Sequence, residues 1–530
     1  MSLNATLLRA VALTALATAC VATAAAQTPA SQTPTTVQTT AASPQTSQEQ
    51  LDQLTPEQQA QVKAIVAQML AEQKAAAEAV DQLALPPPPP PTVSTSWSGG
   101  SPRTTEEDRI FKINGRVMYD AFNISTDDLS TVNQNYSRSF VRRAFLGVEG
   151  QFTQNWKYNI KLQFQPGADQ ASSTVTTVRL CQNTATNAIV QRASCATGEA
   201  DRGPTVTAVA TSGADTEVGF DDAFIQYILG DWEITLGQNN QVSPMEDRTS
   251  SLNIPFNERS GYINAFGFTK IASIAVATGG GNWSAGVALQ GDDFNNPEST
   301  NQSETIGFEG RATWAPIYDR TPDGITVLHL GLNARVRDNG GGSDASGNRG
   351  AGFRYRARPN TGYGDRFVDT GSIAFAQDTF YGAEIAGQMN EWGFSGEYGQ
   401  LKATPQSGTT LGAFEPTFNG GYFDVFWSPT GDGRVYNGKD GSFSRLVPRR
   451  TLGSDEGIGA IMFGARYDFL DLTDGTMDGG EQKGFTLQAT WQPLAFLKFQ
   501  ADVSHLDIER PNSPLSGTAD VVTIRSQIEW

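Results

Sequence analysis

The chain has 530 residues, with 56 acidic against 38 basic side chains and a formal net charge of −18 at pH 7. No basic tract stands out, which argues against nucleic acid as a partner, and no run of 18 apolar residues occurs beyond the first 26, which excludes a bundle of membrane-crossing helices. The 54 glycines and 9% aromatic content suit many strands and turns.

Residues 1–26 read as a secretory signal. Arg9 is the only positive side chain, VALTALATACVATAAA follows, and Ala24-Ala25-Ala26 before Gln27 supplies the small residues of a cleavage site. A competing reading makes Cys20 a lipidated residue, but Ala17 stands where a leucine is wanted. Residues 27–54, mostly Thr, Gln, Ser, Ala and Pro, read as disordered.

A helix is predicted over 55–85. Thr55-Pro56-Glu57-Gln58 offers a cap, a proline in the first turn and a capping-box glutamine. Val62, Val66, Met69, Gln73, Ala76, Val80 and Leu83 follow in 4-3 spacing, the seam of a coiled coil about three heptads long. Such a stripe serves either self-association or packing on another surface. Pro86 to Pro91 then stop the helix and open a stiff spacer and polar linker over 86–108.

From 109 to 530 one pattern recurs. In NWKYNIKLQFQ, Trp156, Tyr158, Ile160, Leu162 and Phe164 alternate with Lys157, Asn159, Lys161 and Gln163, so a strand here has one oily and one wet face. Sixteen such segments begin near 110, 140, 155, 218, 231, 264, 282, 304, 325, 379, 391, 417, 457, 483, 495 and 520. Short turns alternate with long loops at about 166–217, 240–263, 338–378 and 402–416, while 429–456 is long where a short turn is due. Trp156, Trp232, Trp283, Trp392, Trp427 and Trp491 crowd strand ends, as an interfacial girdle would. The expected fold is all-β: a sixteen-stranded antiparallel transmembrane β-barrel in the bacterial outer membrane, its oily face on lipid, with a periplasmic α-helical coiled-coil segment at its N-terminus. A large soluble β-sandwich or solenoid would share the alternation, but not the export signal, the even strand count and the terminal Trp530 together.

Two cysteines, Cys181 and Cys195, remain after the signal, in a polar stretch; one disulfide closing a small loop, about 3 kcal/mol, or two unpaired thiols would fit. The only histidines, His329 and His505, lie far apart, so no metal site, cofactor or hydrolytic triad is expected. If apolar positions face lipid, the lumen receives Arg116, Arg143, Lys157, Lys161, Arg311, Arg335, Arg337, Arg466, Lys498 and Arg525 against Glu149, Glu309, Glu397, Asp468, Asp502 and Glu529. That interior leans positive and would attract anions, unless the charges pair across the wall. Arg142 and Arg143 are adjacent and would face opposite sides, unless a bulge turns both inward.

SFVRRAFLGVEGQFTQNWKYNIKLQF, FKINGRVMYDAF, the FDDAF strand, MEDRTSSLNIPFNERSG and GYFDVFWSPTGDGRVYNG resemble the phosphate- and polyphosphate-selective porins of bacterial outer membranes, over about 109–530. The resemblance implies a homotrimer of sixteen-stranded barrels whose third extracellular loop, about 240–263 here, folds inward, with arginines and lysines forming a ladder and constriction for anions. By motif, Arg116 in INGR, Arg142 and Arg143 in VRRA, and Lys157 in WKY match basic family positions, and Asp221 in FDDA matches an acidic one at the constriction. Asp247 stands in place of a lysine that phosphate-specific members carry, with Arg248 beside it, and Leu252 replaces a second lysine. The implied function is passive diffusion of small anions, phosphate or polyphosphate included. The alternatives are a general, weakly selective porin, or an envelope-spanning protein whose coil touches the cell wall or a periplasmic partner.

Overall fold

The computed structural model describes residues 55–83 and most of 93–530, excepting 99, 128, 130–134, 166–173, 184–188, 193–196, 198, 211–216, 241, 296–304, 322–323, 340–351, 372–374, 455 and 511–515. The signal, the polar segment 27–54, the proline run and the Cys181–Cys195 pairing therefore lie outside what it describes.

Helix α1 (Pro56–Leu83) starts where its capping chemistry is: the Gln58 side chain accepts hydrogen bonds from both the Thr55 N–H and hydroxyl at 3.1 Å. Ile65, Val66, Met69 and Leu70 are exposed along it. Its 28 residues make a rod of about 42 Å.

The rest of the described chain is built on a closed barrel of sixteen antiparallel strands, and the expected loop 166–217 carries a separate three-stranded sheet of Thr174–Asn183, Ile189–Arg192 and Glu199–Ala210. The first eight are β1 (Arg109–Asp127), β2 (Tyr136–Gln151), β3 (Trp156–Gln165), β4 (Glu217–Leu229), β5 (Trp232–Asn239), β6 (Ile271–Gly279), β7 (Trp283–Gln290) and β8 (Ile306–Thr321). The second eight are β9 (Gly324–Asp338), β10 (Phe375–Met389), β11 (Trp392–Pro405), β12 (Thr417–Trp427), β13 (Ala460–Asp474), β14 (Met477–Leu494), β15 (Leu497–Glu509) and β16 (Gly517–Glu529). Each pairs with the next, and β16 returns to β1 from Thr518↔Asp127 to Glu529↔Arg116. Where β16 ends, Gly115 and Trp530 exchange backbone hydrogen bonds of 2.9 and 3.0 Å. A hairpin of Val93–Ser98 and Ser101–Glu106 then takes over the pairing with β1, from Arg103↔Lys112 to Glu106↔Arg109.

The burial is the reverse of a water-soluble protein's. Leu332, Phe485 and Leu487 on the outer face are each more than 60% exposed, while Arg525 is the largest fully buried side chain among the described residues. Alternation along each strand produces this, because polar positions turn inward and apolar ones outward. The six strand-end tryptophans named above all fall at the short-turn end of the barrel, with Trp392 stacked on Trp427 at 5.8 Å.

Two departures from the sequence reading have local causes. The sixth strand begins at Ile271 rather than near 264, because Gly261–Ala265 forms a short helix, α3, whose apolar run packs inward on Phe380 and Tyr422. β14 begins at Met477 rather than near 483, because Asp474 pairs with Met477 across a tight turn with Gly475 at φ +55°. The long-loop end thus holds one very short connection. Conversely, 428–459 at the short-turn end holds a hairpin, Arg434–Asn437 with Ser442–Leu446, that turns into the lumen.

Strand β2 lies so close to β1 that a Cβ on Gly150 would stand 1.9 Å from the Ile110 carbonyl oxygen. Gly150→Val is expected to abolish the heat-modifiable folded band on a detergent gel, whereas the same change at Gly281, where a Cβ meets open space, leaves the band intact.

Candidate functional site

The connection from β5 to β6, residues 240–270, crosses the lumen and lies along the opposite wall. Its polar backbone must be satisfied there, and inward side chains do so. Glu397 of β11 accepts the N–H of Glu246 at 2.6 Å and the Tyr262 hydroxyl at 2.7 Å. Arg466 of β13 grips Asp424 at 2.8 and 2.9 Å and Glu246 at 2.6 Å. Asp468 and Asp502 accept the N–H groups of Gly261 and Asn257. Lys498 donates to the Leu252 carbonyl at 2.6 Å and Gln500 to that of Pro255 at 2.7 Å. Arg525 binds Asp120 bidentately at 2.7 Å and reaches Glu258 at 3.0 Å. Short helix α2 (Met245–Arg248) and α3 both sit on this tethered loop.

The hairpin in 428–459 is held in the same way. Arg311 forms a bidentate pair with Glu384 at 2.9 and 2.8 Å and donates to the carbonyls of Asp440 and Gly441. Buried His329 bridges Glu384 and the Tyr436 hydroxyl, and Gln388 bonds both the N–H and the carbonyl of Arg434. A Cβ on Gly438 would lie 1.8 Å from the Gly281 oxygen, so this backbone is pressed against the β6–β7 turn. Arg335 donates to the Phe266 carbonyl and lies over the Phe268 ring, and Arg337 pairs with Asp378. Six of the cations expected along the lumen, Arg311, Arg335, Arg337, Arg466, Lys498 and Arg525, are thus occupied in holding inward segments. The sequence reading also missed five inward carboxylates, Asp120, Asp222, Asp378, Glu384 and Asp424, all buried. Small or aromatic neighbours, as in GYFDVFW and FYGAEIAG, obscured the alternation there.

With that wall covered, the open space lies off-axis, between the crossing loop and strands β1–β5. It is a cavity of about 580 Å³. Arg116, Arg142, Arg143 and Lys161 reach it from β1–β3, Asp221 and Asp222 from β4, and Arg248 and Asp247 from the loop. Met118 pairs with Arg143 and Tyr119 with Val141, so the register slips at Arg142 and both arginines point into the cavity. Lys157 is not brought there: it is exposed at the short-turn end of β3.

Most of these charges are matched. Lys161 meets Asp222 at 2.6 Å; Lys270 meets Asp221 at 2.8 Å and Asp222 at 2.7 Å. Arg116 stands 3.9 Å from Asp221, Arg259 3.7 Å from Asp247, and Arg248 3.1 Å from Asp440. Arg142 binds Glu258 at 2.7 and 2.9 Å. Among the described residues, Arg143 is the lining cation with no carboxylate in salt-bridge range; its Nη1 lies 3.9 Å from the Met118 sulfur. Asp222, Arg259, Lys270 and Asp440 complete the site and were not singled out from sequence. Only the FDDA doublet carried a signal for any of them.

Glu258, on the loop, shows the strength of the tether. Burial would raise its pKa, but Arg142, by charge and hydrogen bond, together with Arg143 and Arg525, holds it well below the usual carboxylate range. A depressed pKa gives stability that is fully present above the unfolded value, roughly pH 4.3, and lost only as pH falls through the lower folded value. The part of the amide-exchange protection of residues 253–261 that depends on Glu258, corrected for intrinsic rates, should therefore be the same at pH 7 and pH 5. Glu258→Gln should lose it at pH 7.

The "Phosphate-selective porin O and P" family matches residues 111–191 and 199–530. An uncharacterized protein of Caulobacter vibrioides is 28% identical over 434 residues, covering 80% of this chain and 74% of that one. Among solved structures, the anion-selective porin from Comamonas acidovorans aligns with 80% of this chain and 100% of its own at 11% identity and a TM-score of 0.42. The outer membrane channel DcaP of Acinetobacter baumannii aligns with 80% and 99% at 8% identity and a TM-score of 0.42. The family match spans most of the chain, inward loop and hairpin included, and the chain belongs to the phosphate-selective porin O and P family.

Proposed function

We propose that the barrel sits in the bacterial outer membrane, its apolar face on lipid, and passes small anions by passive diffusion through the off-axis cavity. The observation that carries this reading is Arg143. It faces the open space without a carboxylate partner among the described residues, flanked by Arg142 and Arg116. An unpaired guanidinium in a narrow water-filled passage favours anions and offers them bidentate hydrogen bonds. Lys161, Asp221 and Arg248 belong to the same pathway as a paired frame that sets its width and moderates its charge. Phosphate or polyphosphate passes without a tight site, because Asp247 and Leu252 stand where the resemblance implies lysines in the phosphate-specific members, and Arg248 is already engaged by Asp440. The alternative, a general porin of weak selectivity, is favoured by the close matching of Lys161 and Lys270 with Asp221 and Asp222.

In a planar bilayer under a KCl gradient, the purified protein should give a reversal potential of anionic sign, and Arg143→Gln should move it toward zero by a factor of about three in permeability ratio. A cation-favouring potential in the unmodified protein would sink this reading.

The exposed stripe of α1 supports a coil that helps hold three copies together and reaches into the periplasm, where the cell wall or a partner lies. Removing residues 27–90, which spares the 93–106 hairpin on β1, should leave conductance unchanged and lower the temperature at which trimers dissociate in detergent. A trimer equally stable without the segment would remove the coil from assembly.

A further inference from the structure

The tip of the inward hairpin places a carboxylate directly on the one arginine of the crossing loop's first helix. Asp440 Oδ1 lies 3.1 Å from Arg248 Nη2, and both residues line the cavity. Nothing about Asp440 is loose. Its backbone carbonyl accepts from Arg311 at 2.9 Å, the next carbonyl accepts from the same guanidinium at 2.6 Å, and its other carboxylate oxygen accepts from Asn437. Gly441 follows at φ +57°, a conformation that glycine takes without strain and that turns the chain back into the second strand of the hairpin. Arg311 is itself fixed by Glu384. The wall therefore presents Asp440 to Arg248 in a set geometry.

Arg248 has few other calls on its charge. Its remaining contact is a 3.5 Å approach to the Asn240 carbonyl. Neighbouring Asp247 is turned away, with one oxygen 3.7 Å from Arg259 and the other 3.3 Å from Asn240. Without the charge on Asp440, Arg248 would have no carboxylate in salt-bridge range among the described residues and would face the same cavity as Arg143.

We propose that Asp440 is a selectivity-determining residue: it reaches up from the short-turn end, neutralises Arg248, and thereby holds down the affinity of the passage for tetrahedral oxyanions of the phosphate and sulfate class. This deepens the anion-pore reading and rests on it. The low affinity is then a property of one ion pair between two inward segments, and not of the loop sequence alone. An amide at the same position keeps a hydrogen-bond acceptor for Arg248 while removing the charge, so Asp440→Asn preserves the contact and tests the charge.

Four full-length proteins decide the matter: unmodified, Asp440→Asn, Arg248→Gln and the double variant. Each is checked for the heat-modifiable folded band and then measured in planar bilayers for reversal potential and for block of chloride current by inorganic phosphate. Asp440→Asn should raise the chloride-over-potassium permeability ratio and lower the half-blocking phosphate concentration, each by about fivefold. In the Arg248→Gln background the same change should leave phosphate block unaltered. The proposal is overturned if Asp440→Asn blocks like the unmodified protein, or if its effect on block survives the loss of Arg248. A cation-selective unmodified channel would instead reject the anion-pore reading, and the shift in reversal potential between the four proteins would still report whether Asp440 and Arg248 are coupled.

Discussion

A closed sheet of sixteen strands encloses more space than its own inward side chains can fill. Here that space is taken by polypeptide, and the constraint on everything else is that this inward backbone must be hydrogen-bonded by the wall. Buried ion pairs and carboxylates meet it. Arg525, with no exposure at all, joins Asp120 of β1 to Glu258 of the crossing loop, and so ties barrel closure to loop position through one side chain. Arg466 does the same between Asp424 and Glu246, and Arg311 between Glu384 and the hairpin. A buried pair of this kind is weak evidence for stability in itself, but removing one partner leaves a stranded charge, at a cost of about 3–5 kcal/mol. The tethers are therefore devices of position.

Their positions decide where the open volume lies. Because the loop is drawn onto β11–β16, the open volume is pushed against β1–β5, where the arginines of INGR and VRRA project. Had the same loop stayed outside, Arg525 and Arg466 would keep Asp120 and Asp424, but Lys498 would line a wide, water-filled lumen with no carboxylate in salt-bridge range among the described residues. The function of a cation in this interior is thus set by whether a backbone carbonyl or carboxylate has already claimed it. Arg143 stands apart because the slip in register at Arg142 turns two successive arginines inward, while Glu258 takes up only the first in a bidentate pair.

Several features could be read along the chain because they depend on near neighbours only. Alternation in NWKYNIKLQFQ, or in the run ending at Trp530, follows from the two-residue period of a strand, and sixteen strands were counted from it. The α1 cap at Thr55 and Gln58 is likewise a contact within one turn. The same local rule misread YINAFGF as the start of a strand. An apolar run cannot announce whether it will face lipid or fold back onto Phe380, and the latter happened.

Alternation, turn length and the family motifs thus already carried the barrel, its strand order and the candidate cations Arg116, Arg142, Arg143 and Lys161. They could not say which of those cations meet a carboxylate. Asp440 and Arg248 are 192 residues apart in sequence, and Arg525 and Asp120 are 405 apart. Such pairs form only once the sheet has closed and the inward segments have docked, and an electrostatic field depends on distances across the lumen that no stretch of sequence contains.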